Sequence, residues 1–141
     1  MEKSTKYYNY NIEKIKSILD KIEKRIVIFS IIRFIIVALV VIFMYFFFKA
    51  DNIYGLTISL FIGILVFGVI AFFHNEVINK KKTYLLKLEY NENGIKRLNG
   101  QWKEFKDNGN EYIDLNHSFT SDLDIFGENS LFQWINTTRT I

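Results

Sequence analysis

The sequence predicts an all-α membrane protein: a two-helix transmembrane hairpin with cytoplasmic helical extensions that form a stalk, then a short extended segment and a helix at the C-terminus. Three observations predict it. Two apolar runs are each long enough to cross a bilayer. Only four residues separate them. Basic residues crowd the outer end of each run. The chain has 141 residues, half of them hydrophobic, with 17% aromatic, 23% charged and neither proline nor cysteine. Lacking cysteine, it has no disulfide framework, thiolate zinc site, iron–sulfur cluster or cysteine nucleophile. Two histidines are too few for a histidine-rich metal centre.

The net charge of +3 would suit a nucleic-acid binder if it were uniform, but it is not. Residues 1–25 carry seven Lys/Arg against four Asp/Glu, and residues 74–106 carry eight against four. Residues 107–141 carry six acids (Asp107, Glu111, Asp114, Asp122, Asp124, Glu128) and a single base, Arg139.

Residues 1–25 read as a cytoplasmic amphipathic helix. Ile12, Ile15, Leu19, Ile22 and Ile26 recur at alternating spacings of three and four, with Lys and Glu on the other faces. Residues 26–48 form the first span, interrupted only by Ser30 and Arg33, and residues 53–73 form the second, with no charge. A hydrocarbon core of about 30 Å needs about 20 helical residues. A chain this short has too little left over to wrap two fully apolar helices in a soluble core. Residues 49–52, Lys49-Ala50-Asp51-Asn52, form an external loop so short that the spans must be antiparallel.

Lys14, Lys16, Lys21, Lys24 and Arg25 precede the first span, and Lys80, Lys81, Lys82 and Lys87 follow the second. The positive-inside rule then puts both termini in the cytoplasm of a multi-pass protein of the cell membrane. The same rule accounts for Lys80-Lys81-Lys82 without nucleic acid. A cleaved signal peptide does not fit, because the charged stretch is 25 residues long and no small-x-small site follows the apolar run. Arg33 lies about two turns inside its span, near enough for its side chain to snorkel toward cytoplasmic headgroups, and the second span offers no acid to pair with it. Gly55, Ser59 and Gly63 form a small-residue stripe for close helix approach, within the hairpin or between copies. Gly63 and Gly68 are spaced like the outer glycines of a phosphate loop, but Val69 replaces the lysine.

Residues 74–106 read as a cytoplasmic stalk helix, weakened near Asn91-Glu92-Asn93-Gly94, because Val77, Tyr84, Leu88, Ile95, Leu98, Trp102 and Phe105 fall at helical multiples. Asp107-Asn108-Gly109-Asn110 is a turn signal. Residues 111–126 read as extended, Gly127-Glu128-Asn129 as a turn, and Ser130 as the N-cap of a helix through Leu131, Phe132, Trp134 and Ile135. Asp122 and Asp124 would share one face of a strand, yet His117 is their only further ligand candidate, so no metal site is expected. The glycosylation patterns at Asn116 and Asn136 are discounted by the orientation. After Asn108 little fixed structure is expected, and Leu123, Ile125, Leu131, Phe132, Trp134 and Ile135 would make an exposed apolar surface. Catalytic, cofactor-binding and metal-binding residues are each expected to be none. No nucleophile and base, and no carboxylate pair tied to a cleft, stand out.

One stretch carries a resemblance. His117-Ser118-Phe119-Thr120-Ser121-Asp122-Leu123-Asp124-Ile125-Phe126-Gly127, then Ser130-Leu131-Phe132-Gln133, then Asn136-Thr137-Thr138-Arg139-Thr140, resembles the entry to the core domain of MutS-related proteins. It is especially similar to a bacterial branch with two transmembrane helices ahead of the core and ATPase domains. The resemblance implies that residues 107–141 begin a MutS-like core domain, incomplete here, in which the matched residues are architectural. It implies a full-length ATPase of the mismatch-repair-related family, with ATP, magnesium and any DNA bound only in a downstream region. This sequence has no Gly-x-x-x-x-Gly-Lys-Ser/Thr loop, no later acidic strand for magnesium and no ABC-type signature, and it stops where a lever helix would start. The chain is accordingly expected to be a non-catalytic anchor and an N-terminal piece, with the lipid bilayer, a second copy or the downstream MutS-like domains as partners. The alternative is a self-contained small two-span membrane protein acting by protein–protein interaction or oligomerisation. Mismatch repair itself is not implied, because membrane helices stand where the family's mismatch-reading domain would be.

Overall fold

The structure, a computed structural model, describes residues 2–113 and 124–137. Among these residues it is all-helical, with no strand. Two long helices dominate, α1 (Glu2–Lys49) and α2 (Ile53–Leu98), followed by 3-10 turns at Gln101–Glu104 and Asn110–Tyr112 and a short helix, α3 (Leu131–Ile135). The chain divides into two compact units. One comprises Ser17–Leu85, and the other Met1–Lys16 with Leu86–Ile141. Each is described by itself.

The unit 17–85 holds the apolar parts of α1 and α2 and the connector between them. That connector is a complete helix stop. The Asp51 amide donates to the Phe48 carbonyl (3.2 Å) and the Asn52 amide to the Phe47 carbonyl (3.1 Å), with Asp51 in the left-handed region at φ 50°. This is the Schellman pattern, which satisfies carbonyls that a helix end otherwise leaves bare. Asn52 then caps α2, its side-chain oxygen accepting from the Gly55 amide at 3.0 Å. The sharp reversal expected from four residues is therefore built from two caps placed back to back.

Of the expected stripe on α1, Ile15, Leu19 and Ile22 are the buried hydrophobic side chains among the described residues, each 8% exposed, while Ile12 and Ile26 are half-buried. In this unit Lys81 pairs with Glu23 at 2.8 Å, an exposed bridge of the kind that contributes under about 1 kcal/mol.

In the other unit the structure departs from two expectations. The helix expected to reach Lys106 ends at Leu98. Gly100 adopts φ 76°, and its amide donates to the Arg97 carbonyl at 3.1 Å, a glycine C-cap that no periodicity reveals. Trp102 and Phe105 remain half-buried from the 3-10 turn that follows, which is why the apolar spacing seemed continuous. Through the weakened stretch Asn91–Gly94 α2 runs on, as expected. The Asn91 side chain bonds back to the Lys87 carbonyl, and Gly94 lets Tyr8 pack against the helix, since a Cβ there would lie 2.6 Å from the Tyr8 ring. Glu111 and Tyr112 lie in a 3-10 turn rather than an extended segment, because Gly109 (φ 71°) and an Asn108 side-chain bond to the Asn110 amide (3.1 Å) turn the chain there. The rest of the expected extended segment, residues 114–123, lies outside the described residues, as do His117, Asp122, Asn116 and residues 138–141.

Candidate functional site

Two places concentrate chemistry, one in each unit. In the hairpin, Gly55 and Gly63 bring the helices close. A Cβ on Gly63 would meet Val40 Cγ2 at 2.6 Å, and one on Gly55 would run into the Phe47 ring. The small-residue stripe therefore packs within the hairpin at these two positions, which sequence alone left open. Gly68 is different, for a Cβ there would meet nothing within 4 Å. Ser30, Thr57 and Ser59 spend their hydroxyls on carbonyls of their own helices (Ile26, Ile53 and Leu56, at 2.9–3.1 Å). Polar side chains satisfied in this way need no water, which suits an apolar surrounding.

Arg33 has an aromatic partner that sequence reading did not assign. Its guanidinium carbon lies 4.6 Å from the Phe67 ring centroid, a cation–π contact across the hairpin. His74 packs edge-on to Phe29 with centroids 6.3 Å apart, and its buried Nδ1 has no hydrogen-bond partner.

In the other unit the segment 124–137 is tied to the end of α2 and the residues after it by side-chain hydrogen bonds, including one from the Ser130 hydroxyl to the Asn108 carbonyl. Gln133, 3% exposed, donates from Nε2 to the carbonyls of Lys103 (3.1 Å) and Phe105 (2.5 Å), while its Oε1 accepts from the Asn129 amide (2.8 Å). Arg97 donates to the carbonyls of Trp134 (2.8 Å) and Asn136 (2.5 Å) and lies 4.8 Å above the Phe105 ring. Burial holds its pKa below the usual arginine value, against the opposing influence of the Tyr90 and Tyr8 hydroxyls. Asn136 donates to Asp107 at 2.7 Å.

Ser130 caps α3 as expected, accepting from the Gln133 amide at 3.2 Å. Tyr112, Phe126 and Phe132 meet with centroids 5.5–5.8 Å apart, and Gly109 sits against this cluster. Beside Glu111, whose carboxylate hydrogen-bonds it and repels its negative form, the Tyr112 hydroxyl titrates above the ordinary tyrosine value. The described residues after Asn108 are thus more fully bonded than the sequence suggested. Leu131, Trp134 and Ile135 are nevertheless exposed, while Ile125 and Phe132 are half-buried.

Sequence reasoning missed Arg97 and Gln133. Gln133 had a signal: Ser130-x-x-Gln133 is a capping box, which predicts a side chain reaching back over the N-terminus of the helix. Arg97 had none, because its acceptors are carbonyls 37 and 39 residues away. Among the described residues no cluster of His, Asp and Glu could hold a metal ion. Asp124, at φ 46°, offers its backbone carbonyl to the Leu131 amide at 3.0 Å.

These features define a class: a helical protein with two helices long and apolar enough to cross a membrane. Comparison of the chain with models of known families, with characterised proteins and with solved structures found no match.

Proposed function

We propose that the chain is a non-catalytic membrane anchor and stalk. The hairpin crosses the cell membrane with both termini in the cytoplasm, and its helical extensions form the stalk. The observation that carries this reading is the outward apolar surface of the hairpin. Of the most apolar 18-residue window, 0% is buried in α1 and 6% in α2. In water, surfaces of this kind need cover, and in lipid they need none. The back-to-back caps at residues 50–52 and the self-satisfied hydroxyls agree with it.

On this reading the anchored protein is a MutS-like ATPase of the mismatch-repair-related family, and ATP, magnesium and any DNA belong to a downstream region. The resemblance over residues 117–140 supports that identity. So does the exposed face of Leu131, Trp134 and Ile135, which would receive the following domain. The test is the mass of the native protein in its own membranes, blotted against residues 111–120. A band far above 16.8 kDa with ATPase activity supports the proposal, and a band at 16.8 kDa removes the ATPase.

A second reading is a self-contained two-span protein that acts through contacts with other membrane proteins or its own copies. The open space at Gly68 favours it. Crosslinking in native membranes that yields only monomers would count against it.

A further inference from the structure

We infer that the hairpin binds one anionic phospholipid of the cytoplasmic leaflet, with its phosphate at Arg33 and an acyl chain laid in the adjoining groove. The inference rests on the membrane reading above. Two clefts in the unit 17–85 carry it. The first, about 310 Å³, is lined by Ser30, Arg33, Phe34, Val37 and Phe67, and Arg33 is its only charge. The second, about 210 Å³, is lined almost wholly by apolar atoms, among them Val40, Val41, Leu60, Gly63 and Ile64. Val37 and Phe67 line both, so the two clefts adjoin.

The polarity of this path matches a lipid. Arg33 lies seven residues, about 10 Å of helix, past Ile26 and the cytoplasmic lysines. From Arg33 to Val41 on α1, and from Phe67 back to Leu60 on α2, the groove descends a further 11 Å or so, away from the cytoplasmic end. A charged head at the shallow end and an apolar slot leading deeper describe an amphiphile aligned with the bilayer normal. The head must be anionic. The guanidinium is a cation, forms no ion pair among the described residues, and has the Phe67 ring against it. A ring face leaves the edge of the guanidinium, with its N–H donors, free for phosphate oxygens. Ser30 contributes no donor, since its hydroxyl is committed to Ile26.

The test uses the full chain in nonionic detergent, titrated separately with phosphatidylglycerol and phosphatidylcholine and read by native mass spectrometry. The wild type should take its first phosphatidylglycerol about fivefold more readily than phosphatidylcholine, the scale expected for one basic residue facing an anionic lipid. Arg33→Gln should abolish the preference and Arg33→Lys should keep part of it. Val37→Trp, which leaves the charge and fills the groove, should weaken the first site for both lipids. Replacing Lys80, Lys81 and Lys82 together by glutamine should leave the first site intact. The inference is overturned if Arg33→Gln and Val37→Trp bind the first phosphatidylglycerol as the wild type does, or if the triple lysine variant alone loses it. Insertion into neutral phosphatidylcholine vesicles separates the two claims. A chain that stays in the aqueous fraction defeats the membrane reading, whereas one that inserts without an Arg33-dependent preference defeats only the lipid site.

Discussion

Replacing Gln133 by leucine should detach the segment 124–137 from the end of α2. The side chain is 3% exposed and bridges three backbone groups: the carbonyls of Lys103 and Phe105 and the amide of Asn129. Leucine keeps the approximate volume and removes all three bonds. At about 1 kcal/mol net for each bond, with the stranded groups partly rehydrated at the surface, the local cost is about 3 kcal/mol. The unit is small, so the loss should appear as local opening rather than global unfolding. Amide exchange at Leu131, Phe132 and Trp134, whose N–H groups bond to Asp124, Ile125 and Ser130, should accelerate about a hundredfold, at 1.4 kcal/mol per factor of ten. Gln133→Glu separates bonding from shape. Its carboxylate still accepts from Asn129 but faces two carbonyl oxygens, so it should lose as much protection at neutral pH. Those oxygens raise the carboxyl pKa in the folded state, so stability returns as pH falls and the protonated acid donates again. Unchanged exchange at all three amides in both variants would refute the reasoning.

Further outcomes follow from single contacts. Gly109→Ala should destabilise the same unit by about 2–4 kcal/mol, combining left-handed strain with overpacking against Phe132 and Phe126, as read by the same exchange experiment. Arg97→Lys should loosen the same segment, seen as faster exchange at the Phe132 and Trp134 amides. One ammonium cannot reproduce the fork to two carbonyls and the stacking on Phe105. Asp51→Gly should raise the thermal midpoint of the detergent-solubilised chain by relieving about 1 kcal/mol of left-handed strain. Tyr112 should titrate above the ordinary tyrosine range by NMR, and Glu111→Gln should lower its pKa by removing both the carboxylate charge and its bond.

Much of the architecture was legible because long apolar helices impose long-wavelength patterns on sequence. The two apolar runs, the four-residue connector and the Ile15–Leu19–Ile22 stripe are each statements about neighbouring residues, and the structure follows them. The Ser130 cap was legible for the same reason. The end of α2 was not. Apolar spacing through Trp102 and Phe105 persists across the Gly100 cap, and spacing records which residues face inward rather than whether the helix continues. The use of Gly94 was not legible either, because it is a close approach by Tyr8, which comes from far along the chain. The contacts of Arg97 with Trp134 and Asn136, and of Arg33 with Phe67, are equally non-local and leave no periodic trace. Residues that bond to distant backbone carbonyls are the hardest to read, because any residue type can supply the carbonyl.

The central claim is a hairpin that crosses the membrane twice with both termini inside, and the absence of cysteine makes it directly testable. Single cysteines introduced as Ser4→Cys, Asp51→Cys and Glu128→Cys would be treated with a membrane-impermeant maleimide in intact cells and again after permeabilisation. The account predicts that Asp51→Cys labels in intact cells, while Ser4→Cys and Glu128→Cys label only after permeabilisation. Labelling of either terminal position from outside, or equal labelling of all three in a soluble fraction, would contradict it.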